Sequence, residues 1–355
     1  MSHRDSFSAA AIGVLASLIL WTPATAGQAH VVVPSAPSCI ECEIEFTKVA
    51  TLGGKTKEAG LLCSREADVT SDGSNRFYVA DSCWPGEVLV FDLMGNFVGR
   101  IGQFGEGPSE LGHILRIWAT ETGLLHVFDT GGRETTLSSF GETVHKQVSL
   151  HLPHDVVFLS GKRSIRQYLI PTPEEIGMPL HLVDPEGNIL SSFGAVNPTY
   201  RADRSYDGTR CIAKSSQDLV WSAYIQPYQI EYWSTAGDLQ KTLVRQADWS
   251  APRGEDYGPW VIDIREDEDG NLWTNVGVTS DLYDPDAILS ADQANEVIDS
   301  VIEVIDPWSG RLIASARNDL VFGWWLDDML YSFHEDEDFD VFIDIWRVRL
   351  NVPEP

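Results

Sequence analysis

The sequence predicts an all-β chain, a six-bladed β-propeller of four-stranded antiparallel blades, with the ring closed by an N-terminal strand that joins the C-terminal blade. Three observations predict it. Short β-prone runs recur from about residue 43 to residue 350, separated by Gly, Pro, Asp and Asn and too brief for a helical repeat. A turn bearing Gly95, Gly141, Gly187, Gly237 or Gly310 returns before the fourth run of five successive units. The last unit has no fourth run, while the alternating run 43–52 stands alone ahead of the first unit, so one end of the chain can complete the other.

The most regular unit spans residues 67–108. Its runs are 67–70, 77–80, 88–91 and 97–101. Ser71-Asp72-Gly73-Ser74-Asn75 and Met94-Gly95-Asn96 supply turn residues that tolerate positive φ, and Pro85-Gly86 breaks the chain between the second and third runs. Tyr78-Val79-Ala80-Asp81-Ser82, then Val88-x-Val90-Phe91-Asp92, Gly95 and Gly105-x-Gly107-Pro108-x-Glu110 resemble a blade of the NHL-repeat type. The resemblance covers residues 66–113. With the repeating pattern elsewhere, the chain is similar to secreted bacterial six-bladed propellers of the NHL-repeat and TolB-like kind.

The other units follow in order. The second has runs at 115–119, 124–128, 135–140 and 144–150; the third at 156–159, 165–170, 180–183 and 189–193. The fourth has 211–214, 219–223, 229–233 and 239–244. The fifth has 261–265, 272–276, 301–305 and 311–316, interrupted by an insertion at 280–300. Within that insertion, residues 287–297 read as a short helix started by Asp284-Pro285. The sixth has 321–325, 329–333 and 341–348.

Arg4, the apolar residues 9–21 and Ala24-Thr25-Ala26 read as an export signal cut between Ala26 and Gly27. Its apolar run, about 13 residues, is too short to span a bilayer. The expected organisation is a signal peptide at 1–26, an irregular leader at 27–42, the propeller at 43–350 and a tail at 351–355. The expected product is a periplasmic or secreted monomer with no membrane span. A formal charge of -28, from 53 acidic and 25 basic residues, excludes nucleic acid and anionic membranes as partners. The 43% apolar content excludes disorder.

Five cysteines in an exported chain point to disulfides. Cys63 precedes the first strand of its blade and Cys83 lies between the second and third, so an up-and-down blade puts them at one end and a Cys63–Cys83 bridge is expected. Cys39-Ile40-Glu41-Cys42 is a C-x-x-C followed by a strand, which suits a local bridge or an unstructured pair better than redox catalysis. Cys211 is left over as a buried thiol.

No H-E-x-x-H or G-x-S-x-G motif occurs. First strands line a propeller's channel, which makes Asp68, Arg116, His154, Asp155 and Asp263 the channel candidates. Six-bladed lactonases resemble this architecture and hold a divalent ion with such groups. Asp267-Glu268-Asp269-Gly270-Asn271 and the trio Asp336, Asp338 and Asp340 begin like calcium loops, but Leu272 and Val341 stand where the sixth-position Gly belongs. Calcium or another divalent ion is therefore a candidate cofactor, against solvated acidic loops. The face built from blade-joining loops and second-to-third-strand turns would carry Trp84, Tyr224, Trp249, Tyr257, Tyr283 and His334. Aromatics among carboxylates suit a glycan, a peptide or a protein ligand. The preferred reading is an exported binding or interaction module; the alternative is a metal-dependent hydrolase or lactonase using the channel.

Overall fold

The computed structural model describes residues 29–73, 76–107, 109–149, 151–168, 178–195, 208–216, 219–247, 259–280 and 297–353. Two strands, β1 (Ala29–Val33) and β2 (Glu43–Leu52), precede the first blade. Blade 1 holds β3 (Asp68–Ser71), β4 (Arg76–Ala80), β5 (Val88–Asp92) and β6 (Phe97–Ile101). Blade 2 holds β7 (Ile114–Ala119), β8 (Leu125–Asp129), β9 (Arg133–Leu137) and β10 (Thr143–Val148). Blade 3 holds β11 (Asp155–Phe158), β12 (Ser164–Gln167), β13 (Leu180–Val183) and β14 (Ile189–Phe193). Blade 4 holds β15 (Arg210–Lys214), β16 (Val220–Tyr224), β17 (Gln229–Trp233) and β18 (Leu239–Arg245). Blade 5 holds β19 (Trp260–Glu266), β20 (Leu272–Thr279), β21 (Ile298–Asp306) and β22 (Arg311–Asn318). Blade 6 is built from β23 (Met329–Glu335), β24 (Val341–Asn351) and β2, in the order β2-β24-β23.

Apart from β1, the strands of the six sheets pair antiparallel and form a propeller, with almost no helix among the described residues. Burial explains the residue choice. In blade 1 the middle strands β4 and β5 are covered on both faces and carry continuous apolar runs, while the outer strand β6 alternates between half-buried and exposed. The recurring turn is closed by its own first side chain. Asp92 Oδ1 accepts the Met94 and Asn96 amides at 2.9 Å each, and Asp184 and Asp267 repeat the bond to Asn188 and Asn271 at 2.7 and 2.8 Å.

Ring closure is as the sequence predicts. β2 pairs antiparallel with β24 from Glu43↔Asn351 to Leu52↔Ile343. Gly95, at φ 83°, lies against the Thr51 backbone of this closing strand, where a Cβ would overlap the Thr51 carbonyl oxygen.

Two expectations need correction. The leader is not irregular throughout: β1 pairs in parallel with β18, from Ala29↔Lys241 to Val33↔Arg245. Its His-Val-Val-Val run is β-prone and covers an edge that would otherwise be open, with Val33 fully buried. The leader then crosses to blade 5, where Ser38 N donates to Leu312 O at 2.7 Å. The second correction is the innermost segment of blade 6. Residues 321–325 are extended but form no ladder, pairing only at points such as Gly323 N to Tyr331 O at 2.7 Å. Trp325 N goes instead to Asp263 of blade 5. The residues expected to form a helix in the insertion lie outside the described residues except for Val297, and β21 begins earlier than expected, at Ile298.

Apolar side chains fill the junctions between blades. Among the described residues, clusters of seven or more buried side chains join blades 1 and 2, 3 and 4, 4 and 5, 5 and 6, and 6 and 1. The junction of blades 2 and 3 has three: Trp118, Phe128 and Val156.

Candidate functional site

The first strands of blades 1 to 5 and the innermost segment of blade 6 place six equivalent residues around the channel: Asp68, Arg116, Asp155, Cys211, Asp263 and Trp324. The aspartates occupy blades 1, 3 and 5. Each accepts the backbone N–H of the first segment of the next blade: Asp68 from Ile117 at 2.6 Å, Asp155 from Ile212 at 2.7 Å and Asp263 from Trp325 at 2.7 Å. Burial pushes the Asp68 carboxyl up to about 6 against the opposing pull of Arg116, whose Nη1 lies 3.3 Å away. Burial likewise raises Asp155 and Asp263, with the nearby Asp68 adding to the first and Asp155 to the second. Cys211 is a buried free thiol that donates to Ile262 O at 2.9 Å, and burial raises it.

Trp324 packs between Arg116, whose guanidinium lies 4.9 Å from its ring centre, and His154, whose ring lies 5.6 Å away. Burial and the Arg116 charge hold His154 down at about 4. Among the described residues, three ligating atoms come within 4.8 Å of one another at Cys63–Asp81–Cys83 and at Asp336–Asp338–Asp340, and the channel candidates form no such grouping. Cys63 and Cys83 are joined as a disulfide, as are Cys39 and Cys42. Asp81 serves the first bridge by accepting the Cys63 and Cys83 amides at 3.0 and 2.9 Å.

The acidic trio on the β23–β24 turn holds an ammonium of its own chain. Lys55 Nζ lies 2.7, 2.6 and 3.6 Å from Asp336, Asp338 and Asp340. On the β19–β20 turn, Asp267 is used by its own turn and by Trp273 Nε1, at 2.8 Å.

The aromatic candidates are dispersed. Trp84 is buried, donates to Leu61 O at 2.8 Å and is covered by Arg100, 3.9 Å from its ring centre. Tyr224 is buried beneath Arg210, which sits 3.8 Å from its ring centre and pairs with Glu231. His334 is half-buried, stacks on Phe342 and lies 3.2 Å from Asp344. Trp249, Tyr257 and Tyr283 lie outside the described residues.

The open feature is the thin junction between blades 2 and 3. A cleft of about 790 Å³ lies there, at the end of the ring that carries the β7–β8, β11–β12 and β13–β14 turns. That end is opposite the expected aromatic face. A buried polar group forms its wall. Arg166 of β12 reaches across to Glu134 of β9 with Nη1–Oε2 at 2.8 Å and Nη2–Oε1 at 3.1 Å. Gln147 donates to Glu134 Oε2 at 2.7 Å, and His126 Nδ1 lies 3.0 Å from Oε1. Burial works to raise this carboxyl, but the His126 bond and Arg166 outweigh it and hold it at about 2. The His126 ring packs at a tilt against Phe158, 4.4 Å between centres.

Sequence reasoning missed this site, although a signal was present. The third strand of blade 2 reads Arg-Glu-Thr-Thr-Leu, where its counterpart in blade 1 reads Val-Leu-Val-Phe-Asp. A polar middle strand means an unfilled junction.

No protein-family model matches the sequence, and no curated protein matches it. Solved structures are similar over most of the chain. A candidate exported protein from Bacteroides fragilis superposes with a TM-score of 0.59 at 11% identity, over 90% of this chain and 99% of that one. Virginiamycin B lyase from Staphylococcus aureus gives 0.44 at 9% identity, over 86% and 99%. The WD40 β-propeller domain of Doa1 gives 0.45 at 10% identity, over 85% and 96%.

Proposed function

We propose that this chain is an extracytoplasmic binding module whose ligand seats in the cleft between blades 2 and 3. The observation that carries the reading is the open junction. Five junctions are closed by apolar packing, whereas this one has a polar wall with every oxygen of Glu134 engaged, which keeps the cleft in shape without filling it. Two disulfides and the N-terminal charge, apolar run and A-x-A pattern support an oxidising location outside the cytoplasm.

Val144, exposed on β10 and lining the cleft, is the place to test it. Val144→Trp fills space without touching the Glu134 group. A glycan and peptide array probed with the parent and with V144W should give ligands that the parent holds and the variant loses. An array whose hits are unchanged by V144W overturns the cleft as the seat. Export is read separately, by sequencing the N-terminus of protein recovered outside the cytoplasm, which should begin at Gly27.

A further inference from the structure

We infer that the outer edge of β14 seats an extended strand of another polypeptide, uncharged and rich in β-branched residues, running parallel to β14 as β1 runs along β18. This edge lies apart from the cleft, which none of Ile189–Phe193 lines. The outermost strand of a sheet turns half of its backbone N–H and C=O groups away from its partner, and proteins guard such an edge with charge or cover it. The fourth strands of the six blades divide on this point. β6 carries Arg100, β10 carries His145 and Lys146, β22 carries Arg311 and Arg317, and β2 carries Glu43, Glu45 and Lys48. β18 is covered by β1, which in turn packs Val31 against Gly310 of blade 5. β22 also receives the leader, with Ser38 N and Cys39 N donating to Leu312 O and Ile313 O at 2.7 and 3.4 Å. β14 reads Ile-Leu-Ser-Ser-Phe: it has no charged side chain and, among the described residues, no covering segment.

The neighbouring blade shows what fits. Counted from the turn glycines Gly187 and Gly237, Ser191 and Ser192 of β14 hold the places of Lys241 and Thr242 of β18. Lys241 and Thr242 are buried beside β1, whereas Ser191 is half-buried and Ser192 exposed. The segment on the β18 edge is Ala-His-Val-Val-Val, with three β-branched residues in five and no carboxylate or ammonium. Ile189 and Leu190, 41% and 54% exposed, extend the β14 edge with apolar surface ahead of Ser191. An incoming strand of about seven residues covers them with its first side chains. A charged segment would lose solvation against this edge without gaining a partner. A second copy would bring its own formal charge of -28 against this one, which favours a foreign strand.

The test is fluorescence anisotropy of the full mature chain with a labelled synthetic peptide of residues 27–36, Gly-Gln-Ala-His-Val-Val-Val-Pro-Ser-Ala. It should bind saturably. The same peptide with Val31→Pro and Val32→Pro should bind about tenfold or more weakly, because one of two successive N–H groups faces the ladder. In the protein, Leu190→Lys/Ser192→Lys guards the edge and should weaken the unmodified peptide by about the same factor. Both positions are exposed, so the thermal melt should hold. Hydrogen exchange locates the seat: the peptide should slow amide exchange in residues 189–193. No saturable binding, or binding that survives the two lysines, overturns the inference. Protection confined to residues 239–245 means trading places with β1 on blade 4 and overturns it as well. Sedimentation of the chain alone gives the remaining outcome: a dimer that the two lysines dissociate makes the occupant a second copy and overturns the foreign strand.

Discussion

Removing Arg166 isolates a buried charge at the seam of the ring. Glu134 and Arg166 have side-chain exposures of 3% and 8% and share two hydrogen bonds. Arg166→Ala leaves the Glu134 carboxylate with His126 and Gln147 but without its counter-charge. Breaking one partner of such a pair costs about 3–5 kcal/mol. Linkage bounds the figure: His126, Arg166 and Gln147 together hold the carboxyl at about 2 instead of 4.5, which corresponds to stabilisation on the order of 3 kcal/mol at neutral pH, and Arg166 supplies a part of it. Because the folded value is the lower one, this stability is present above 4.5 and lost as pH falls towards 2. The double replacement Glu134→Gln/Arg166→Met removes both charges and keeps their bulk, and it should stay within about 1 kcal/mol of the parent. The assay is urea unfolding of the parent, the single and the double variant at pH 7 and at pH 3, followed by tryptophan fluorescence. The parent's advantage over Arg166→Ala should shrink at pH 3. A single variant costing under about 1 kcal/mol, or a double variant as damaged as the single, would refute the reasoning.

Further outcomes follow from the same geometry. The raised Asp68 carboxyl binds its proton more tightly when folded, so the parent should lose stability as pH rises from 3.8 to about 6; Asp68→Asn should gain on the parent across that window in thermal melts, and parallel profiles would contradict the shift. Gly95→Ala combines a left-handed backbone with overlap on Thr51 and should destabilise by about 2 kcal/mol or more in urea unfolding, with no change expected for Gly161→Ala beyond its backbone strain of about 1 kcal/mol. Opening the Cys63–Cys83 bridge, which closes a separation of 20 residues, should cost about 3 kcal/mol by Cys63→Ser/Cys83→Ser, while opening Cys39–Cys42, with a separation of 3, should cost much less; equal losses would point to a different use of the first bridge.

The blades were legible because each obeys local rules. Runs of β-prone residues, Asp or Ser at a turn's start and Gly at its end specify strands and hairpins within about forty residues of one another. Closure by residues 43–52 was legible because the sixth unit visibly lacks a strand. The parallel pairing of β1 was not, since a parallel partner more than two hundred residues away leaves no mark on a four-residue Val-rich run. The channel was partly legible: Asp68, Asp155 and Asp263 were found by position on first strands, but their alternation with Arg116, Cys211 and Trp324 depends on register between blades. The cleft was hidden for the same reason. Glu134 and Arg166 are unremarkable in sequence, and only the packing of neighbouring blades reveals that they meet. Trp84 and Tyr224 illustrate the converse, for an aromatic near a turn can fold under an arginine as readily as it can face solvent.

The strap formed by β1 and β2 has a consequence for how the chain is made. Synthesis yields these two strands early, yet β18, the partner of β1, emerges only after blade 4 begins, and β24, the partner of β2, emerges last, with the outer strand of blade 5 that holds Ser38 between them. Until β18 is made Val31, Val32 and Val33 have no sheet to join, and the closing contacts span most of the chain, which makes closure a slow step. A chain interrupted before residue 341 would display an unsealed ring and an orphan β2, both open to proteolysis. The geometry that seals the finished molecule thus also marks the unfinished one for removal.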